Sequence, residues 1–375
     1  MGKTFQLTEN EKELLTIIGR NPEISMKELL NRTEYKWVST VVRKLGHLKE
    51  QHILFGPLYD IDYGKLCKNP LHKLVCIVEL NQSYETVISY LKLIDSLAWI
   101  FPVLSPHKKV LNAGFFSSND TELKALLQLL KDNNIISDYI VRACRHKRMV
   151  ENPNLSGDPA PLLDNLLDLC DVPDMSLGQY DTEWNECDMR ILPYLQKGAK
   201  LIEILREEKR LYRSWTYEQV RYSCDKMVKN RLIEKKYIFF PFPCGQCTRF
   251  DLFLRTEDIS VTQRILCNFA RGERVYKEYM LFDDWGMIFC LSHPLFLTDL
   301  MHWLDQIDQI EEREVYQVRS TSGEYTFAQP IETKYYDFDK QTLEYPYHTY
   351  REKIYKKLDS ELSLLHTVDL HFQSG

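Results

Sequence analysis

Through the opening stretch of the chain, apolar side chains recur every three or four positions, the spacing of helices with one buried side. Leu14, Leu15, Ile17 and Ile18 line a helix that a Thr8-to-Glu11 capping box opens and Gly19 to Pro22 closes. Ser25 to Glu28 is a second capping box, and the polar run Asn31 to Glu34 ends the short helix behind it. A third helix carries Trp37, Val41, Leu45 and Leu48 at helical spacing, a set expected to bury against the first helix. Its other side gathers Lys36, Ser39, Thr40, Arg43, Lys44 and His47, cations and hydroxyls with no acid among them, which suits a DNA groove. His52 to Tyr63 then sets apolar arms around Gly-Pro, as a wing hairpin would. The unit reads as a winged helix-turn-helix.

From His72 the pattern changes. Leu74–Leu80 reads as a strand, Tyr84–Ile94 as a helix, Ala98–Leu104 and Val110–Phe116 as two strands, Leu123–Leu130 as a helix and Tyr139–Cys144 as a last strand. This βαββαβ order predicts a ferredoxin-like domain. Proline, glycine and aspartate crowd residues 150–182, the composition of a linker, with Leu162–Leu169 expected as a short helix docked on a neighbour.

Beyond the linker the same elements return. Val220, Cys224, Met227 and Leu232 repeat Val41, Leu45, Leu48 and Ile53 at one offset of roughly 180 residues, and a second βαββαβ series follows. The predicted class is therefore α+β, a tandem duplication of a winged helix-turn-helix domain and a βαββαβ ferredoxin-like domain. The expected boundaries are 1–68 and 69–149 for the first pair, 150–182 for the linker, 183–246 and 247–328 for the second pair, and 329–375 for a tyrosine-rich C-terminal arm. The second recognition-type helix differs in chemistry. It offers Glu218, Arg221, Tyr222, Asp225, Lys226 and Lys229 after a basic stretch of Lys209, Arg210 and Arg213, and this mixed charge suits phosphate contact better than base reading. Arg221, Tyr222, Lys226 and Lys229 join the first helix's residues as candidate DNA contacts.

Leu7, Leu14, Glu28, Leu29, Val38, Ser39, Val41, Arg43, Leu45, Leu48 and Ile53, followed by βαββαβ, resemble the Lrp/AsnC family of transcriptional regulators. The resemblance covers both halves, with departures at Leu30, where the family has alanine, and at Gln51 or His52, where it has glycine. It implies a sequence-specific DNA-binding regulator, not an enzyme, with double-stranded DNA as partner, a small-molecule effector and a homodimer as further options, and no cofactor. The turns Ser105–Lys109 and Phe282–Gly286 do not match the family's effector turn, so the effector's identity is not carried over.

Bulk chemistry narrows the alternatives. A net charge of −6 excludes wholesale coating of nucleic acid and leaves room for one basic face. No apolar run reaches the roughly 18 residues of a membrane span, and the polar start MGKTFQLTENEKE lacks a signal-peptide core, so a cytoplasmic location is expected. Cys244 and Cys247 form the single C-x-x-C, readable as half a zinc site, a redox pair or a plain turn; no metal site is expected. His107, His146 and His293, with Arg142, Arg145 and Arg148, are the residues for a competing reading. Sirohaem decarboxylases are similar to Lrp-type regulators in fold, also occur as fused pairs, and place histidine and arginine around a tetrapyrrole. A winged-helix module for protein interaction is the third option.

Overall fold

The computed structural model describes residues 6–211, 215–319 and 325–372. Met1 to Phe5 of the polar start, and Arg213 of the basic stretch, lie outside the described residues. The helix starts follow the local sequence: α1 (Glu9–Arg20) and α2 (Met26–Asn31) each begin on a complete capping box. α3 (Val38–Glu50) begins without a side-chain cap, because Trp37 occupies the N-cap position in extended conformation. Trp37 thus leaves the helical period before it starts. It is 70% exposed and takes no part in the core of Leu14, Leu15, Ile18, Leu29, Val41 and Leu48, contrary to the expected burial. α3 closes at His52, whose φ of +53° lets Ile53 N–H reach the Leu48 carbonyl at 3.0 Å. His52 therefore adopts a left-handed conformation that glycine takes more readily.

β1 (Leu54–Ile61) follows. The chain continues through β2 (His72–Leu80), α4 (Tyr84–Leu91), β3 (Leu97–Val103), β4 (Lys109–Ser117), α5 (Asp120–Asp132), β5 (Ile136–Cys144) and β6 (Met149–Glu151). The second half comprises α6 (Glu186–Gln196), α7 (Leu201–Arg210), α8 (Tyr217–Lys229), β7 (Ile233–Phe239), β8 (Thr248–Thr256), α9 (Ile259–Asn268), β9 (Tyr276–Leu281), β10 (Gly286–Ser292), α10 (Pro294–Leu304) and β11 (Ile310–Gln317). The arm adds β12 (Phe327–Ala328), β13 (Tyr336–Asp337), β14 (Thr342–Leu343) and α11 (Tyr347–Phe372).

The wing hairpin does not form. Leu54–Ile61 is one strand, irregular between Phe55 and Leu58, and it pairs antiparallel with β7 from the second half, Leu54 opposite Phe239 and Ile61 opposite Ile233. Gly-Pro reads locally as a turn, but a long partner strand supplies ladder bonds on both sides of it, and pairing outweighs the turn preference. The repeat extends to the helix ends: Arg231, at φ +57°, closes α8 with Leu232 N–H on the Met227 carbonyl at 2.9 Å, as His52 closes α3.

Both ferredoxin-like sheets have the same strand order, β3-β4-β2-β5 and β11-β8-β10-β9, so the tandem α+β architecture is present as expected. Each sheet gains an edge strand, β12 beside β3 and β6 beside β9. The chain forms two compact units, Met1–Leu66 with Cys144–Arg319, and Cys67–Ala143 with Ser320–Gly375. In the first unit, Leu163, Leu166 and Met175 bury into the core beneath α9 and α10, although Leu162–Leu169 forms no helix. Exposed Leu162 and Leu169 flank Leu163 and Leu166, so residues 162–169 dock by these two anchors in irregular backbone. In the second unit the arm lies along its own sheet and helices: the Tyr347 hydroxyl accepts from Ser118 N–H, and Arg351 Nη2 reaches Glu122 at 2.9 Å.

Candidate functional site

On α3, the structure leaves Lys36, Ser39, Arg43 and His47 exposed and Thr40 half-buried. Among the described residues neither Lys36 nor Arg43 has a carboxylate partner. Lys44 is different. Its Nζ lies 2.8 Å from Glu11 Oε1 on α1. Burial alone would raise the Glu11 carboxyl, but hydrogen bonds from Lys44 and Thr8 hold it below its ordinary value, and the same contact raises Lys44. Lys44 thus ties α3 to α1, and the free surface is Lys36, Ser39, Arg43 and His47 with the exposed apolar residues Trp37, Val38 and Val42.

The candidate residues of α8 are less available. Lys226 Nζ donates to Asp188 Oδ2 at 2.7 Å and to the Glu183 carbonyl at 2.7 Å, 5.1 Å from the Trp184 ring centroid. Asp188 is fully buried, so Lys226 is a structural counter-ion. Arg221 faces Asp225 at 3.7 Å, while Tyr222 and Lys229 are exposed.

The cations of the strand end 139–148 are divided between the two compact units. Arg142 belongs to one compact unit and Arg145, His146 and Arg148 to the other. Arg148 lies 3.1 Å from Asp60 and 2.8 Å from Glu278, and these carboxylates hold it charged against its burial. His146 shares a β-bridge with Ser176, and its Nδ1 lies 3.3 Å from the Leu281 carbonyl. His107 is exposed in the turn between β3 and β4. Among the described residues no group of three or more His, Cys, Asp or Glu is placed to hold a metal ion.

A basic cluster does form at one end of the second sheet, and its register explains why. Leu291 on β10 pairs with Arg249 on β8 and with Tyr276 on β9, so the starts of β8 and β9 meet the end of β10. Arg249, Arg274 and His293 therefore come together although distant in sequence. They surround the loop after β7. The Arg274 guanidinium lies 4.2 Å from the Phe242 ring centroid and donates to the Pro241 carbonyl at 2.9 and 3.1 Å. Arg249 lies 5.9 Å from the Phe240 ring and also contacts Cys244 Sγ. The His293 ring meets Phe242 edge-on at 5.6 Å. His293 caps α10, its Nδ1 accepting from Leu295 N–H at 3.3 Å, which places the neutral ring's proton on Nε2. Beneath the cluster, Phe240 packs on Tyr276 at 5.6 Å and on Phe55 at 4.6 Å.

Among the described residues no carboxylate pairs with Arg249 or Arg274. Burial holds Arg274 below its ordinary value, the direction expected of a cation removed from water without a counter-charge, although a guanidinium keeps its proton throughout. Two half-buried guanidiniums and an imidazole over aromatic rings can receive an anionic, planar molecule. Sequence reasoning selected His293 but missed both arginines, because only sheet register brings them to it.

No protein-family model matches the chain, and no curated protein sequence is similar to it. Among solved structures, siroheme decarboxylase NirDL covers 95% of this chain and 100% of its own at 12% identity, with a TM-score of 0.50. The same enzyme in co-complex with an iron-uroporphyrin III analogue covers 94% and 100% at 13% identity, TM-score 0.51. Escherichia coli AsnC covers 40% of this chain and 99% of its own at 12% identity, TM-score 0.31. The expectation that the chain is not an enzyme therefore does not stand: a solved fold that covers 95% of it is an enzyme's. At these identities the likeness is one of fold, shared over nearly the whole chain with siroheme decarboxylase NirDL.

Proposed function

We propose that the chain is a decarboxylase-type enzyme acting on a carboxylate-bearing tetrapyrrole, with Arg249, Arg274 and His293 as its substrate-facing residues. The observation that carries this is the convergence of the three on one aromatic loop with no carboxylate among the described residues to neutralise the arginines. Arginine grips a carboxylate through paired N–H donors, and Phe240 and Phe242 offer flat apolar surface for a macrocycle. Loss of carbon dioxide from an acetate side chain leaves an electron pair on its methylene carbon, and one proton there completes a methyl group. Solvent supplies that proton, while the Nε2–H of the neutral His293 ring serves as a hydrogen-bond donor to a carboxylate. The test is an absorbance titration of the full chain with iron-uroporphyrin III and with sirohaem. The expected result is a saturable shift of the Soret band at one ligand per chain and, with sirohaem, release of carbon dioxide. A flat titration with both ligands overturns the reading.

DNA binding through α3 is a second reading, favoured by exposed Lys36 and Arg43, which have no carboxylate partner among the described residues, beside Ser39. A guanidinium can read guanine with two hydrogen bonds, worth roughly 1–3 kcal/mol, so Arg43→Ala is expected to weaken a selected DNA site about 10- to 100-fold. Lys36→Ala is expected to weaken all sequences alike and to lower the salt dependence by about one ion. Gel shifts against site-selected and scrambled duplexes check both. Equal affinity of the wild type for the two duplexes removes this reading.

A further inference from the structure

Cys244 and Cys247 belong neither to a metal site nor to the ligand-gripping set, yet they stand at the edge of the sheet-end cluster. Residues Cys244–Gln246 form a single 3-10 turn, with Cys247 N–H on the Cys244 carbonyl at 3.3 Å. A turn of this kind keeps the first and fourth Cα atoms within about 7 Å. A disulfide spans Cα separations of about 4.4–6.8 Å, so the turn already holds the pair at bridging distance. The tip is open: Gly245 and Gln246 are exposed, and a Cβ on Gly245 would meet nothing. Both cysteines are free thiols. Cys247 is the more enclosed, its Sγ donating to the Phe242 carbonyl at 3.4 Å, and burial pushes its thiol up to about 11. The Cys244 sulfur contacts the Arg249 guanidinium.

We propose that Cys244 and Cys247 form a reversible disulfide, and that its formation breaks the Cys244–Arg249 contact and lowers the anion affinity of the sheet-end cluster. The second part rests on the tetrapyrrole reading; the first does not. With hydrogen peroxide as oxidant, Cys244 sulfur attacks one oxygen and the other leaves as water. Cys247 sulfur then displaces the second oxygen, also as water. Two thiol hydrogens and two electrons are transferred, and one S–S bond forms. Cys76 and Cys290 are fully buried and do not compete. Cys170 and Cys267, in mutual contact elsewhere, supply the comparison pair.

The full chain is treated with hydrogen peroxide, alkylated and digested without reduction. A Cys244–Cys247 linked peptide, two hydrogens lighter and restored by dithiothreitol, is expected. Recovery of both cysteines as alkylated thiols, or a bridge at Cys170–Cys267 only, overturns the disulfide. Iron-uroporphyrin III is then titrated into reduced and oxidised protein. Oxidation is expected to weaken binding roughly tenfold, the weight of one charge-assisted contact, in the wild type and not in Cys247→Ser. Equal affinity of the two forms overturns the coupling. If the reduced protein binds none, the tetrapyrrole reading and the coupling fall together, and the disulfide is decided by the mass spectrum alone.

Discussion

Gly198→Ala is expected to destabilise the first compact unit by about 3 kcal/mol or more, the range in which backbone strain and overpacking add. Gly198 ends α6 at φ +78°, where a side chain is strained in any surroundings. Its surroundings are also closed: a Cβ would lie 2.1 Å from the Pro57 carbonyl oxygen, a backbone atom on β1. Neither side can yield easily, because β1 is held by its ladder with β7 and α6 is anchored by the capping box of Asn185 and Asp188. Urea unfolding followed by circular dichroism measures the effect. Gly46→Ala is the control, since a Cβ there meets nothing and alanine favours the helix. Equal midpoints for the two variants would show that α6 does not bear on β1.

The second large effect concerns ligand. The double change Arg249→Gln with Arg274→Gln is expected to weaken iron-uroporphyrin III binding by about 100-fold or more. Each charged hydrogen bond to a carboxylate is worth roughly 1.5–3 kcal/mol, and two on one ligand partly overlap. Glutamine is chosen because it retains an N–H donor for the Pro241 carbonyl that Arg274 now supports, which separates charge from loop structure. Isothermal titration reads the affinity, and the unfolding midpoint shows whether the loop survives. Exposed Lys340→Gln serves as a loss of one charge from a residue outside the cluster, expected to leave binding unchanged. A double variant that binds as the wild type does would remove the arginines from the site.

The corrected assignments share one cause. Arg148 and Lys226 were legible as cations and their burial was not, since the carboxylates that hold them, Asp60 with Glu278 and Asp188, lie far away in sequence. Lys44 was placed on the right helix, but Glu11 turns it toward α1. Gly56–Pro57 reads as the turn of a hairpin because turn chemistry is local, whereas its actual neighbour, Lys236, arrives from the other half of the chain.

What the sequence determined by itself was the kind and order of the elements. Capping boxes at Thr8, Ser25 and Thr216, apolar periods of 3.6 and 2, and the repeat of Val41, Leu48 and Ile53 as Val220, Met227 and Leu232 are written in neighbouring residues, and each acts through hydrogen bonds and burial within a few positions. Tertiary structure alone decided which strands pair and which cations keep a free charge. β1 finds β7, and the register of β8, β9 and β10 carries Arg249, Arg274 and His293 to one loop, because strand pairing and charge neutralisation depend on partners that the chain brings close only after it has folded.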